Sequence, residues 1–154
     1  MKKTVAPLIV FFALMFGSLG SAQSNGFGIY SGFPEWLGIQ YQTNGLRLGA
    51  GLSFSGLGGS ADLIILESPL PVAPGFELSW YAGAGVSAGF WLFRTLSGIY
   101  IFPHGLAGIE YKFPDQSFSV YGELQLGIGI GLGNLSGAYG GFDFNSRVGI
   151  IFPQ

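Results

Sequence analysis

The residues of this chain that could take part in chemistry recur at alternate positions, between glycine, serine and apolar residues. They are Gln40, Arg47, Glu77, Tyr81, Glu110, Lys112, Glu123, Gln125, Asp143 and Arg147. Successive side chains of a β-strand point to opposite faces, so we expect this set to line one enclosed interior. Opposite charges confined there should pair, because an unpaired buried charge is costly. We interpret the set as a structural network that fills the interior; a catalytic or transport role is the alternative.

No arrangement typical of catalysis accompanies these residues. The single histidine, His104, follows Pro103, and nothing at a fixed spacing completes a catalytic triad. His104, Glu110 and Asp62 do not have the spacing of metal ligands. The glycine-rich run 127–133 lacks the Lys-Ser/Thr that follows a phosphate-binding loop. The chain has no cysteine, which excludes disulfides and thiolate chemistry. We therefore expect no enzymatic activity, cofactor or metal.

The composition is unlike that of a soluble domain. Of 154 residues, 49% are hydrophobic and only 9% are charged, whereas soluble proteins carry roughly 25% charged residues. The 28 glycines interrupt the apolar content, and after the N-terminus no apolar run is long enough for a membrane-spanning helix. Membrane-like composition in an alternating pattern predicts a β-barrel. No basic patch is present, so nucleic-acid binding is not expected.

The N-terminus has the pattern of a secretory signal peptide. Lys2 and Lys3 precede an apolar stretch from Val5 to Phe16, and small residues stand at positions 20–22. We expect residues 1–22 to be removed during export and residues 23–154 to form the mature domain. A permanent anchor helix is the alternative, but the apolar stretch is short for it.

The mature chain divides into eight strand patterns, and no helical periodicity is visible. The segments are roughly 25–32, 37–43, 46–54, 60–67, 76–93, 98–113, 117–132 and 141–152. Asn44-Gly45 is a strong signal for a two-residue hairpin, and Pro103 indicates a bulge or a local break in pairing. Short connections favour an up-and-down meander, and closure removes the two edges. The predicted fold is all-β, an eight-stranded antiparallel up-and-down transmembrane β-barrel.

The polarity of the two faces indicates which one meets lipid. The more polar face carries glycine, serine and glutamine with few charges, too few for the exterior of a soluble barrel. Aromatic residues at strand ends, such as Phe76, Phe90 and Phe152, flank aliphatic residues as in the girdles of membrane barrels. The glycines of the lumen face leave room for large neighbours such as Tyr81 and Trp91.

A substitution pair follows from this assignment of faces. We expect Leu126→Arg, on the lipid face, to cost about 2–4 kcal/mol. We expect Gly127→Ser, on the lumen face, to be milder.

Several stretches carry a resemblance to known proteins. They are GFGIYSGFPEWLGIQYQ at 26–42, WYAGAGVSAGF at 80–90, GLAGIEYKFPD at 105–115, SVYGELQLGIGIGL at 119–132 and FDFNSRVGIIF at 142–152. The mature chain resembles the small eight-stranded outer-membrane β-barrel families, among them the OmpA membrane domain and OmpX. The resemblance implies a bacterial outer-membrane location with both termini in the periplasm. It also implies outer-membrane lipid and the barrel-assembly machinery as partners.

The last strand is similar to the assembly signal of these families. Arg147, Gly149 and Phe152 match a polar residue, a glycine two positions later and an apolar or aromatic residue at the end of the strand. Pro153-Gln154 departs from the pattern, since these families prefer a terminal aromatic. The function expected is a non-enzymatic structural, envelope or surface-contact role, with the lumen filled by side chains. The alternatives are a narrow channel, porin-like or for a small apolar solute, and a secreted soluble barrel similar to a lipocalin. The oligomeric state is left open.

Overall fold

The computed structural model describes residues 25–53, 56–93, 96–134 and 137–154. The predicted signal peptide, residues 1–22, lies outside the described residues, as does the side chain of Trp91. In the part of the chain that is described, no helix is long and apolar enough to cross a membrane.

Eight antiparallel strands, each paired with its neighbours in chain order, close into a barrel. The strands are β1 (Gly26–Gly32), β2 (Leu37–Thr43), β3 (Leu46–Ser53), β4 (Gly56–Leu70), β5 (Glu77–Phe93), β6 (Leu96–Lys112), β7 (Ser119–Gly133) and β8 (Gly137–Pro153). The last strand pairs with the first, so the predicted all-β, eight-stranded antiparallel barrel is confirmed.

Two strands, β4 and β8, have boundaries that differ from the sequence prediction by three residues or more. β4 covers Gly56–Leu70, whereas the sequence predicted a strand only over 60–67. A register shift between Ile64 and Leu66 breaks the alternation of β4, which explains why the pattern is weak there. β8 begins at Gly137 instead of Gly141.

Pro103 interrupts pairing on one side of β6 only. The register with β5 is continuous through the Val86–Pro103 pair, whereas pairing with β7 stops after Ile101 and resumes at His104. Proline has no N–H to donate to a neighbouring strand, and a local break was one of the two expected outcomes.

Asn44 and Gly45 form the hairpin turn that the sequence predicts between β2 and β3. Both residues have positive φ, 47° and 80°, as a type I′ turn requires. The Gly45 carbonyl also accepts a hydrogen bond of 2.7 Å from the Ile64 N–H of β4. The turn therefore fixes the register on both sides of β3.

The register around the barrel determines how far the strands tilt. Register partners traced from Ile29 through β2 to β7 lead to Gly140 on β8. On the other side of β1, Ile29 pairs directly with Ile150 of the same strand β8. The strands thus shift by ten residues, from 140 to 150, in one turn around the barrel. In an eight-stranded barrel such a stagger accompanies a tilt of roughly 40° and an interior just wide enough for side chains.

The strands are unequal in length, so the barrel has a tall side and a low side. Each residue adds roughly 2.5 Å of height at this tilt, so β1, with 7 residues, rises about 17 Å and β6, with 17 residues, about 42 Å. At the end opposite the termini, β5–β8 therefore form a tall wall. The upper ends of β1–β3 and the connection 33–36 form a low rim.

Candidate functional site in the barrel lumen

Most polar residues lie inside this barrel, beside a few apolar ones such as Phe102, Leu106 and Ile151, and the outer face is largely apolar. Arg47, Asp62 and Glu123 are almost fully buried, whereas Ile39 is 69% and Phe142 is 75% exposed. In the described strands, no Asp, Glu, Lys or Arg occupies the outward face. The candidate site is therefore the lumen.

Five ionisable side chains from five strands form a chain of contacts that we call the central ion network. It runs in the order Arg47, Glu123, Arg147, Asp62 and His104. Nη1 of Arg47 lies 2.6 Å from Oε2 of Glu123, and Nη1 of Arg147 lies 2.6 Å from Oδ2 of Asp62. Arg147 also lies 3.6 Å from Oε1 of Glu123, which joins the two pairs. Charge-assisted hydrogen bonds of this length are the strong ones in proteins.

Neutral side chains extend the network around Glu123. The Tyr81 hydroxyl donates a 2.9 Å hydrogen bond to Oε2 of Glu123, and the Gln125 amide donates a 2.8 Å hydrogen bond to Oε1. Nε of Arg47 donates to Oε1 of Gln42 at 2.8 Å. Both carboxylate oxygens of Glu123 are therefore engaged, as a buried charge requires.

His104 is held by two acceptors. Its Nδ1 lies 2.9 Å from the carbonyl oxygen of Phe102, and its Nε2 lies 3.1 Å from Oδ1 of Asp62. Both partners are hydrogen-bond acceptors, so a ring nitrogen that carries a hydrogen donates to one of them. With both nitrogens engaged, His104 is not placed to act as a general base.

Three tyrosine rings of the lumen lie against glycines of the next strand. The pairs are Tyr30 with Gly38, Tyr81 with Gly108 and Tyr121 with Gly149; a Cβ on each glycine would lie 2.5 Å from ring carbons. The expectation that glycine makes room for Tyr81 is confirmed. The guanidinium groups pack over two of these rings in cation–π contacts. Arg47 lies 4.2 Å from the Tyr121 ring centroid, and Arg147 lies 4.8 Å from the Tyr30 ring centroid.

The connection 33–36 folds into the lumen at the low rim. The ring of Phe33 meets that of Tyr100 edge-on, with centroids 5.1 Å apart. Glu35 is fully buried, and neither of its carboxylate oxygens has a hydrogen-bond partner. Burial raises the pKa of Glu35 above its ordinary value, because desolvation disfavours the charged form. Because this pKa is raised, protonation of Glu35 stabilises the folded state. The stabilisation by the protonated carboxyl is lost as the pH rises through the folded-state pKa.

Of the ten residues predicted for the interior, the structure brings Arg47, Tyr81, Glu123, Gln125 and Arg147 together. Gln40 lies beside them, since its Oε1 accepts a 2.6 Å hydrogen bond from the Tyr121 hydroxyl. The other four lie nearer the ends of the barrel. Glu110 is buried towards the end that carries the termini, where Glu77 and Lys112 are register partners and Glu77 is exposed. At the opposite end, Oδ2 of Asp143 accepts a 2.6 Å hydrogen bond from the Tyr100 hydroxyl.

Sequence reasoning missed two members of the central ion network. His104 lies an even number of positions from Glu110 and Lys112 on β6, so the alternation of side chains along the strand already placed it on the inner face. Asp62 was hidden by the register shift in β4, which makes the pattern there irregular. It was also one of only two charged residues in the predicted segment 60–67, a signal that could have identified it.

The three residues of the expected assembly signal occupy different environments. Arg147 belongs to the central ion network, Gly149 lies beneath the Tyr121 ring, and Phe152 is exposed on the outer face beside its register partner Phe27. Recognition by assembly machinery stays a prediction.

The lumen thus holds a buried, largely paired charge network, and no group of three or more His, Cys, Asp or Glu among the described residues is arranged to hold a metal ion. The class defined by the fold is an eight-stranded antiparallel β-barrel with a polar interior and an apolar exterior. Comparisons of the chain with protein-family models, curated proteins and solved structures find no match.

Proposed function

We propose that this chain is an integral outer-membrane β-barrel protein with a structural role in the cell envelope or at the cell surface. The observation that carries the proposal is the inverted distribution of polarity. Ile39, Leu126 and Phe142 are about half exposed or more, while Arg47 and Arg147 are almost fully buried. A continuous apolar exterior is unfavourable in water and favourable against acyl chains.

Aromatic side chains on the outer face support the same proposal. Near the end that carries the termini, the rings of Phe27 and Tyr41 lie 4.8 Å apart, and those of Tyr111 and Phe113 lie 4.5 Å apart. Phe152 is exposed at a similar level. Aromatic residues at one level around a barrel are typical of a membrane interface.

Membrane extraction tests the proposal. The full chain would be expressed in a Gram-negative bacterium, and the membranes would be washed with alkaline carbonate and floated through a density gradient. We expect the protein to float with the outer-membrane fraction and to need detergent for release. Recovery as a monomer in detergent-free buffer would contradict the proposal and favour the soluble barrel.

A narrow channel is the second candidate, and one feature of the lumen favours it. Several buried polar atoms have no hydrogen-bond partner, among them Nε and Nη2 of Arg147, the Tyr30 hydroxyl and the hydroxyls of Ser60 and Ser87. Such groups are normally satisfied by water, and connected water would provide a conducting path. Recordings in planar bilayers separate the candidates, because a filled lumen gives no discrete current steps and a channel gives ohmic ones.

A further inference from the structure

The wall of the barrel is incomplete above the low rim, beside β8. β1 pairs with β8 only from Pro153 to Arg147, and Arg147 faces Gly32, the last residue of β1. Residues 137–146 continue upward, paired with β7 alone. In the described part of the chain, no strand covers their other side. We call this opening the side gap.

The edge of β8 presents backbone groups to the side gap. The Gln154 N–H bonds to the Asn25 carbonyl of the neighbouring segment, so even-numbered residues of β8 direct their backbone groups away from β7. By this alternation, Gly140, Phe142 and Phe144 direct their N–H and C=O groups into the side gap. The Phe144 N–H is satisfied locally, by a 2.8 Å hydrogen bond to Oδ1 of Asp143. In the described chain, no strand pairs with this edge to supply donors and acceptors for the other groups.

Aromatic rings line the side gap on its inner side. Phe33 of the low rim packs on Tyr100 of the tall wall, and the Tyr100 and Phe102 rings are stacked with centroids 6.1 Å apart. The Tyr100 hydroxyl donates to Asp143, beside the free edge. On the outer side, Phe142 is 75% and Phe144 is 55% exposed. The lining therefore combines apolar rings with hydrogen-bonding groups.

The side gap lies at the level of the apolar exterior, because Phe142 and Phe144 flank it and Ile128 is the register partner of Phe142 on β7. If the proposed membrane location holds, acyl chains reach this opening, yet they cannot satisfy backbone N–H and C=O groups. A second copy in the same orientation cannot extend the sheet, because strands tilted by roughly 40° in opposite senses would cross steeply.

We propose that the side gap binds a single-chain amphiphile from the surrounding leaflet, with its uncharged hydroxyl or amide head at the β8 edge. This inference rests on the proposed membrane location. A hydroxyl or amide both donates and accepts hydrogen bonds, as the unpaired groups of β8 require. The chain of the amphiphile lies along Phe142 and Phe144, where it stays in contact with lipid.

The charges near the side gap disfavour an anionic head group. The described acidic residues of this end are Asp143, at the β8 edge, and Glu35, in the connection 33–36. The nearest buried cation below, Arg147, is already bound to Asp62. A carboxylate head would meet Asp143 in a low-dielectric setting, where like charges repel strongly. The site therefore selects an uncharged head over an anionic one.

Photolabelling tests the proposal. The full chain, purified in detergent and reconstituted in phosphatidylcholine vesicles, would be irradiated with a long-chain alcohol that carries a diazirine near its head. Labelled peptides are identified by mass spectrometry. We expect label in residues 137–146 and 33–36 at several times the level found in residues 124–130 of the closed wall. The matching carboxylate probe should label the side gap about tenfold less, equivalent to about 1.4 kcal/mol.

Two variants, each with a matched control, separate binding from folding. Gly140→Trp places a bulky side chain at the β8 edge, where an added Cβ would have no heavy atom within 4 Å. This variant should abolish labelling of the side gap. Gly122→Trp is the control, since its Cβ has only an ordinary 3.9 Å contact on the closed wall. Asp143→Asn should raise labelling by the carboxylate probe, whereas Asp115→Asn, in an exposed turn at the other end, should not.

The outcomes distinguish this inference from the proposed function. Failure of the protein to float with the vesicles overturns the membrane location and the inference together. Flotation with label spread evenly around the barrel overturns the inference alone. Equal labelling by the alcohol and the carboxylate overturns the selection of the head group. Loss of label at high protein density, with a dimer present, would identify a second copy as the occupant and overturn the amphiphile.

Discussion

The sharpest test of the apolar exterior compares one substitution at two depths on one strand. Leu126 and Leu132 share the outer face of β7, and their side chains are 49% and 55% exposed. They lie six positions apart, which corresponds to about 15 Å along the barrel axis at this tilt. Leu126 stands near the middle of the apolar stretch that runs from Val120 to Leu132. The two sites thus differ mainly in depth.

Arginine at these two positions should lower the free energy of unfolding by different amounts. On the lipid face of a membrane barrel, arginine costs about 2–4 kcal/mol at mid-membrane and about 0–1 kcal/mol near an interface. We therefore expect Leu126→Arg to lower the free energy of unfolding by about 2–4 kcal/mol and Leu132→Arg by at most about 1 kcal/mol. Urea titration of the protein in lipid vesicles, followed by tryptophan fluorescence, measures both values.

Equal effects at the two sites would refute the reasoning. In a water-soluble barrel both leucines would face solvent, and both substitutions would stay within about 0.5 kcal/mol of wild type. Gly127→Ser is not the mild comparison that the sequence indicated, because a Cβ there would overlap the Pro103 carbonyl oxygen and the His104 backbone. That expectation was wrong, and Leu132→Arg is the better control.

Three further predictions concern the lumen and the connection 33–36. Glu123→Gln should destabilise the barrel by about 3–5 kcal/mol, because it leaves a buried guanidinium without its carboxylate. Glu77→Gln, at an exposed site, should change the stability by no more than about 0.5 kcal/mol. Urea titration of the protein in vesicles measures both values. Gly108→Ala should cost about 1–3 kcal/mol because its Cβ meets a tyrosine ring, and Gly140→Ala, in open space, should be close to neutral in the same assay. Glu35→Gln should stabilise the protein at pH 7, because burial disfavours the ionised carboxyl, and the difference should fade below about pH 4.

Each of these predictions has an outcome that contradicts it. Equal costs for Glu123→Gln and Glu77→Gln would show that the central ion network does not stabilise the barrel. A neutral Gly108→Ala would show that the tyrosine ring above it moves freely. Destabilisation by Glu35→Gln at pH 7 would mean that the carboxylate is favourably bound in its charged form.

The sequence alone was sufficient for the number of strands, their antiparallel order and the face on which most side chains lie. Alternation is a local property, because the pleat of each strand sends successive residues to opposite faces whatever the neighbouring strands do. It therefore assigned Arg47, Glu123 and Arg147 to the interior before any contact was known. It was weakest in β4, where the register shift interrupts the period of two.

Only the tertiary structure decided which of these residues meet. Arg47 and Glu123 are 76 positions apart, and their contact depends on the ten-residue stagger accumulated around the closed barrel. The side gap has the same origin, because it arises where β8 extends beyond the last residue of β1. The sequence did not indicate it, since strand ends in glycine-rich sequence show little alternation of polar and apolar residues. Local alternation thus determines which way a side chain points, whereas closure of the whole barrel determines its height and its partner.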